Sequence, residues 1–274
     1  MPGSLSPSSL VDLERYPILA VRTPVWQALV DRCGAQMKAV GACELPGFLT
    51  AAATRVMAEE ADQLGLTAYF NTVRGNAYLE PTDAGLPADH PKRLEDHTTV
   101  GVLAYDMIPR SSALRALYEW DPLMDFLAAA LGEPKLYRYA DPMGALNLSV
   151  MRPGDYLRWH FDQTGFVTSI ALQSAETGGD FEYVPMIRSP NDEQLDRVRA
   201  LLKGDGREVR RFPMTPGTLL LFMGRYSIHR VTAVGGARFR YVALLGYDTN
   251  EGVDSTEHLK KMRYGRTEAQ IPPP

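Results

Sequence analysis

The chain has 274 residues, 45% hydrophobic and 23% charged, with a formal net charge of −4. That length can bury a sizeable core in one large domain, and the mild acidity gives no electrostatic reason to expect nucleic acid or an anionic membrane as partner. No run of about 18 apolar residues is present, so no membrane-spanning helix is expected.

Residues 1–22 read as a loose, Pro/Ser-rich lead-in, MPGSLSPSSLVDLERYP at its start, without the basic-then-apolar pattern of a secretory signal. Residues 23–134 read as mostly helical. Thr23-Pro24 supplies an N-cap and a first-turn proline for a helix running toward Met37. Thr50 caps TAAATRVMAEEADQL, which Gly65 can end, and Asp121-Pro122 starts LMDFLAAAL, closed by Gly132. Between the last two, from Tyr69 to about Asp96, periodicity is weak, and NTVRGNAYLEPTDAG reads as an ordered, lid-like loop. Cys33 and Cys43 are too few for a disulfide framework; two reduced thiols in a cytoplasmic protein are expected, although one bridge could form.

From Lys135 the texture changes to short strand-like runs: KLYRYA, ALNLSVM, DYLRWHF, FVTSIALQ, DFEYVP, EVRRFPM, TLLLFM, IHRVTAV and FRYVALLGY. Turn signals at Pro153-Gly154-Asp155, Gly178-Gly179, Pro216-Gly217 and Gly235-Gly236 divide them. One helix, NDEQLDRVRALLK, interrupts the run with Asn191 as its cap. Many short strands with Gly/Pro turns favour a sandwich or barrel. The expected fold is mainly β with flanking helices (α+β): a double-stranded β-helix, a jelly-roll of cupin-like type, over 135–250. The N-terminal helices pack on it, 251–274 form a tail that closes on IPPP, and the whole is a single domain.

Of five histidines, His160 and His229 lie inside strand-like runs. On a strand, residues i and i+2 share a face, so His160 and Asp162 project together while Phe161 goes to the other side. His229, 69 residues later, can supply a third ligand. Two imidazoles and one carboxylate form the facial triad of non-haem iron(II) oxygenases and leave open coordination positions. A His-x-Asp tripeptide alone is a weak signal. Here, however, turns feed both ligand-bearing runs, and Arg238 and Arg240 follow His229 by nine and eleven residues on the next strand. An arginine there can take a carboxylate bidentately, as the far end of 2-oxoglutarate requires. The two arginines share one parity, so spacing does not choose between them. Trp159, Phe161, Phe166 and Phe181 are expected in core packing and pocket walls.

WHFD, LQSAETGGDFEYVPMIRS, PGTLLLFMGRYSIHRVTAV and the closing YGRT together resemble the amino-acid halogenase/hydroxylase group of iron(II)/2-oxoglutarate oxygenases, over roughly residues 140–266. NTVRGNAYL, around Arg74, is similar more loosely. The resemblance implies iron(II), 2-oxoglutarate as cosubstrate and dioxygen, with His160 and His229 on the metal. It implies Arg240 on 2-oxoglutarate with Arg238 as reserve, and Asn147 in the cofactor pocket. Arg74 would meet a substrate carboxylate, Asp141 a substrate amine, and Gln163 would stand close to the substrate. The halogenases of the group have glycine or alanine where Asp162 stands, and halide takes the vacated position. A carboxylate there implies hydroxylation instead. The expected partner is a small molecule, a free (cationic) amino acid or derivative. A facial-triad enzyme that does not use 2-oxoglutarate and a non-catalytic metal-binding jelly-roll sensor are the competing readings.

Overall fold

Short polar side chains cap three helices of the first half. After a single turn, α1 (Pro7–Leu10), Thr23 accepts a hydrogen bond from the Trp26 N–H and opens α2 (Pro24–Val40). Thr50 does the same for α3 (Ala51–Leu64) through the Ala53 N–H. Gly65 stays right-handed and carries the chain into a 3-10 turn, Gly65–Thr67, which ends α3 by tightening it. α4 (Ala113–Tyr118) and α5 (Asp121–Leu131) follow, and α5 closes on Gly132 as expected. The computed structural model describes residues 6–270, so the first five residues of the lead-in and the closing IPPP lie outside the described residues.

The first half is less helical than its sequence suggested. It contributes β1 (Ala42–Leu45), β2 (Tyr69–Asn76) and β3 (Glu95–Leu103). The expected loop from Tyr69 to Asp96 is therefore corrected: its first eight residues pair antiparallel with β3, from Tyr69 opposite Val102 to Asn76 opposite Glu95. β2 is an edge strand with little burial on either face, so it lacks the alternation that marks a half-buried strand. Only residues 77–94 form the connection, with a 3-10 turn at Pro91–Arg93.

The second half supplies β4 (Tyr137–Arg138), β5 (Leu146–Met151), β6 (Leu157–His160), β7 (Val167–Gln173), β8 (Thr177–Gly178) and β9 (Phe181–Val184). After α6 (Leu195–Leu202) come β10 (Arg210–Phe212), β11 (Leu219–Phe222), β12 (Ile228–Val231), β13 (Val234–Gly235), β14 (Arg240–Leu245) and β15 (Tyr247–Asp248). Asn191 does not cap α6: residues 189 and 192 form a bridge, and the helix starts only after Gln194, which is left-handed at φ 49°. The expected tail holds a helix, α7 (Glu257–Tyr264), capped by Thr256.

Eleven of these strands build a seven-stranded sheet, β1-β11-β7-β14-β5-β3-β2, and a four-stranded sheet, β10-β9-β12-β6, and β13-β8 and β15-β4 form separate pairs, all antiparallel. One face of the large sheet (Leu146, Leu148, Val150, Ile170, Leu219, Leu221, Ala243) packs on α2 to α5 through Leu29, Met37, Met57 and Phe126. Its other face looks onto the small sheet. Phe222 of β11 meets Phe181 of β9 edge-on at 5.1 Å between ring centroids, a contact worth roughly 0.5–1.5 kcal/mol beyond burial. Two facing antiparallel sheets with helices against one of them are the expected double-stranded β-helix. Cys33 and Cys43 are both buried and free, and no helix among the described residues is long and apolar enough to cross a membrane.

Candidate metal centre

The Gly154 turn (φ 88°) feeds β6, which carries His160, as the sequence indicated, whereas the Gly217 turn (φ 87°) feeds β11, and the chain reaches His229 on β12 only after a further turn at 223–227. In the small sheet His160, the last residue of β6, pairs directly with His229 of β12, and their rings lie 4.1 Å apart. Beyond His160 the chain leaves the sheet. Phe161 donates its N–H to the Ala77 carbonyl (2.8 Å), and Asp162 donates to that of Gly224 (3.0 Å). Alternation nevertheless holds. Phe161 turns outward to Tyr78 and lies under Arg188, whereas Asp162 returns to the side of His160.

The three side chains converge. Asp162 Oδ1 is 3.7 Å from His160 Nε2, and Oδ2 is 3.5 Å from His229 Nε2. One donor atom from each residue falls within 4.8 Å of the other two. Each imidazole is oriented through its other nitrogen, His160 Nδ1 to the Arg158 carbonyl (2.9 Å) and His229 Nδ1 to the Ser227 carbonyl (3.0 Å). A carbonyl only accepts, so Nδ1 carries the proton and the Nε2 lone pairs face the cluster. Burial, with His229 alongside, pushes the His160 pKa down to about 3, so this ring is neutral at physiological pH and does not form an ion pair with Asp162. Asp162 Oδ2 is buried without a hydrogen-bond partner. A buried, unpaired carboxylate oxygen facing two imidazole nitrogens is costly unless a cation lies between them, and two nitrogens with one carboxylate suit iron(II). The residues fit the metal. Phe181 and Phe222 wall the cluster, their rings 5.5 and 4.8 Å from that of His229.

Arg240 opens β14 opposite Met151, is 5% exposed, and donates from Nη1 only to the Met151 sulfur at 3.8 Å. Among the described residues no carboxylate oxygen lies within 4.0 Å of it. Burial lowers its pKa to about 10, offset only in part by Asp180, so it remains a cation. Arg238 lies in the exposed bend before the strand. Burial thus separates two residues that parity could not.

The other expected residues are placed differently. Arg74 lies on β2, on the same face as Phe70, which packs toward the helical layer. Its side chain is 73% exposed and 4.0 Å from Glu95, so it points away from the cluster. Asp141 is fully buried: its Oδ1 accepts from the Met143 N–H (2.8 Å) and lies 3.7 Å from the Lys260 ammonium, whereas its Oδ2 has no hydrogen-bond partner. Asn147 faces the interior with its capacity used, donating to the Met143 and Leu146 carbonyls and accepting from the Tyr264 hydroxyl. Gln163 is exposed, and its carbonyl accepts from Arg225. Trp159 faces outward beneath Arg230, and Phe166 packs toward the helices.

Two residues escaped the sequence reading. Gly224 stands where any Cβ would collide with the Asp162 carboxylate. Arg158, two residues before His160 and by alternation on the same face, is 7% exposed with Nε unpartnered. The spacing rule that paired His160 with Asp162 would have found it if applied backwards.

The Halogenase D family profile matches residues 26–264. No curated protein sequence matches the chain. Solved structures share the fold at low identity. An oxidoreductase of the 2OG-Fe(II) oxygenase family from Burkholderia pseudomallei is 18% identical, with a TM-score of 0.51 over 82% of this chain and 92% of that one. The non-haem α-ketoglutarate-dependent carbocyclase SnoK of nogalamycin biosynthesis is 16% identical, with a TM-score of 0.57 over 90% and 96%. HygX from Streptomyces hygroscopicus, with nickel, 2-oxoglutarate and hygromycin B bound, is 12% identical, with a TM-score of 0.53 over 85% and 95%.

Proposed function

The chain belongs to the Halogenase D family, a halogenase family within the iron(II)/2-oxoglutarate oxygenases, and on that premise we propose that it is a hydroxylase of an unactivated C–H bond in a small polar metabolite. The observation that carries the reading is Asp162, whose carboxylate reaches toward both imidazoles at 3.7 and 3.5 Å. It stands at the position that the resembling halogenases leave small for halide.

His160, His229 and Asp162 would hold the iron, with both rings locked by their Nδ1–H bonds to backbone carbonyls. When bound, iron(II) with 2-oxoglutarate and dioxygen supplies the oxidising power to insert oxygen into a C–H bond, with succinate and carbon dioxide as coproducts. Arg240 is the residue for the distal carboxylate of 2-oxoglutarate, because it is a buried fork of donors that lacks an anion. A metal site without 2-oxoglutarate, or a sensor, leaves that unpaired cation unexplained. Phe181 and Phe222 keep water from the metal side of His229.

Asp141 was the reason to expect an amine in the substrate; its Oδ1 already faces the Lys260 ammonium, and its Oδ2 is unpartnered. An amino acid or derivative remains the working class on the family resemblance alone. The test is a succinate-release screen with iron(II), 2-oxoglutarate, oxygen and chloride, with mass spectrometry of each product. The expected product gains one oxygen. Chlorinated product, or absence of succinate with every compound, would overturn the reading.

A further inference from the structure

The interior beside the metal cluster carries a second buried cation. Arg158 reaches from β6 to the seam between the sheets, where Nη1 donates to Thr98 Oγ1 (3.0 Å) and to the Val73 carbonyl (3.3 Å). Both partners are neutral. Nε is buried and has no partner. Gly75 provides the space, since a Cβ there would lie 3.0 Å from Nη2. The nearest carboxylates, Glu95 and Asp96, act on Arg158 only through space and are committed elsewhere, Asp96 to the Tyr156 hydroxyl (2.6 Å) and Glu95 to Thr82. Arg240 bonds Met151 on another strand, so one arginine cannot substitute for the other.

A buried guanidinium without an anion costs free energy that a purely structural clamp would not need, because an apolar side chain could fill the same seam. We propose that Arg158 is the receptor for an oxyanion of the substrate (a carboxylate or a phosphate) and that it, not the exposed Arg74, orients the molecule toward the metal. The inference rests on the proposed function in one respect: it assumes that the substrate lies in the interior beside His160. Asp162 is turned to the metal, so the charged group offered to a substrate beside Thr98 and Val73 is the Arg158 guanidinium. The site therefore selects an anionic group, with 2-oxoglutarate held separately at Arg240.

Occupancy is tested first without turnover. Full-length protein loaded with nickel(II) and 2-oxoglutarate, so that Arg240 is already engaged, is titrated with sulfate while its Tm is followed. Sulfate is expected to raise the Tm of the wild type and of Arg74→Met by a few degrees and to leave Arg158→Met unchanged. No effect on the wild type, or an equal effect on Arg158→Met, overturns the proposal. Should Arg158→Met fail to fold, Arg158→Lys keeps the charge but cannot grip Thr98, the Val73 carbonyl and an oxyanion together. Its sulfate shift is then expected to fall by at least half, and an undiminished shift overturns the proposal.

The second test is the succinate screen, run with carboxylates against their carboxamides and phosphate monoesters against the parent alcohols. Removing the charge of the accepted class is expected to cost about ten- to a hundredfold in release, and the arm that responds identifies the oxyanion. Equal release from charged and uncharged forms overturns the proposal. If no compound releases succinate while the sulfate shift depends on Arg158, the oxygenase reading fails and this one stands.

Discussion

Replacing Arg240 with methionine should have opposite effects on two quantities. In the protein without 2-oxoglutarate the guanidinium is a buried cation facing a sulfur atom, and burial lowers its pKa from 12.5 to about 10. At about 1.36 kcal/mol per pH unit, holding that charge costs on the order of 3 kcal/mol. Methionine fills similar space beside Met151 without the charge, so the metal-free protein should become more stable, with a higher denaturation midpoint in urea. In the iron-loaded protein the same change leaves the distal carboxylate of 2-oxoglutarate buried and unpaired. That loss is typically about 2–5 kcal/mol, which is roughly thirty- to several-thousandfold in affinity. Anaerobic titration of the iron(II) protein with 2-oxoglutarate, followed by the visible absorption of the chelate, measures it directly. A variant less stable than wild type, with its 2-oxoglutarate affinity changed less than threefold, would show that Arg240 is a structural residue and refute the reasoning.

The remaining predictions concern the metal cluster. His160→Ala and His229→Ala each remove one of three donors and should abolish both iron binding, measured by metal analysis after desalting, and succinate release. Asp162→Gly should lose hydroxylation and open a coordination position to chloride; hydroxylated product at the wild-type rate would contradict this. Gly224→Ala should push the Asp162 carboxylate out of place and weaken iron binding by about ten- to a hundredfold without unfolding the protein, read by equilibrium dialysis alongside circular dichroism. The metal-free protein should lose stability as pH falls. The folded-state pKa of His160 is depressed to about 3, so below the unfolded value of about 6.5 the unfolded chain binds the proton and the folded one does not. That stability is present above pH ~6.5 and falls by roughly 2 kcal/mol by pH 5. Urea midpoints of wild type and His160→Asn at pH 7 and pH 5 test it, and parallel losses in both would assign the effect elsewhere.

What the sequence disclosed depended on periodicity. The strands after Lys135 are short and separated by glycine and proline, and period-two spacing on from β6 gave the His160–Asp162 geometry, although β7, β11 and β14 are buried on both faces and do not alternate. β2 could not, because an edge strand with both faces half open leaves no pattern in its sequence. Arg74 was misplaced for that reason. Once Tyr69–Asn76 is a strand, its parity with Phe70 sends it away from the metal, whereas Val73, one position earlier, lends its carbonyl to Arg158. Arg238 and Arg240 show the opposite case. They have equal parity, yet the strand begins only at Arg240, so one is solvated and the other buried. Asp141 and Asn147 are both buried, but Lys260 and Tyr264, both from α7, face the Asp141 Oδ1 and the Asn147 amide oxygen. No local pattern announces a partner more than a hundred residues away.

The link between Asp162 and Gly224 bears on how halogenation and hydroxylation divide within this fold. Sixty-two residues separate the two positions, yet the Gly224 carbonyl accepts from the Asp162 N–H and its missing side chain is the space that the carboxylate occupies. A carboxylate at the third ligand position thus depends on a bare backbone on the facing turn. Placing Asp where a halogenase has glycine supplies the ligand but not the room, unless the residue opposite is also glycine. The reverse change needs only one substitution, because removing the carboxylate leaves Gly224 without a neighbour to accommodate. For the hydroxylase proposed above, loss of the third ligand is therefore sterically open at this site, and its restoration is conditional on glycine at position 224.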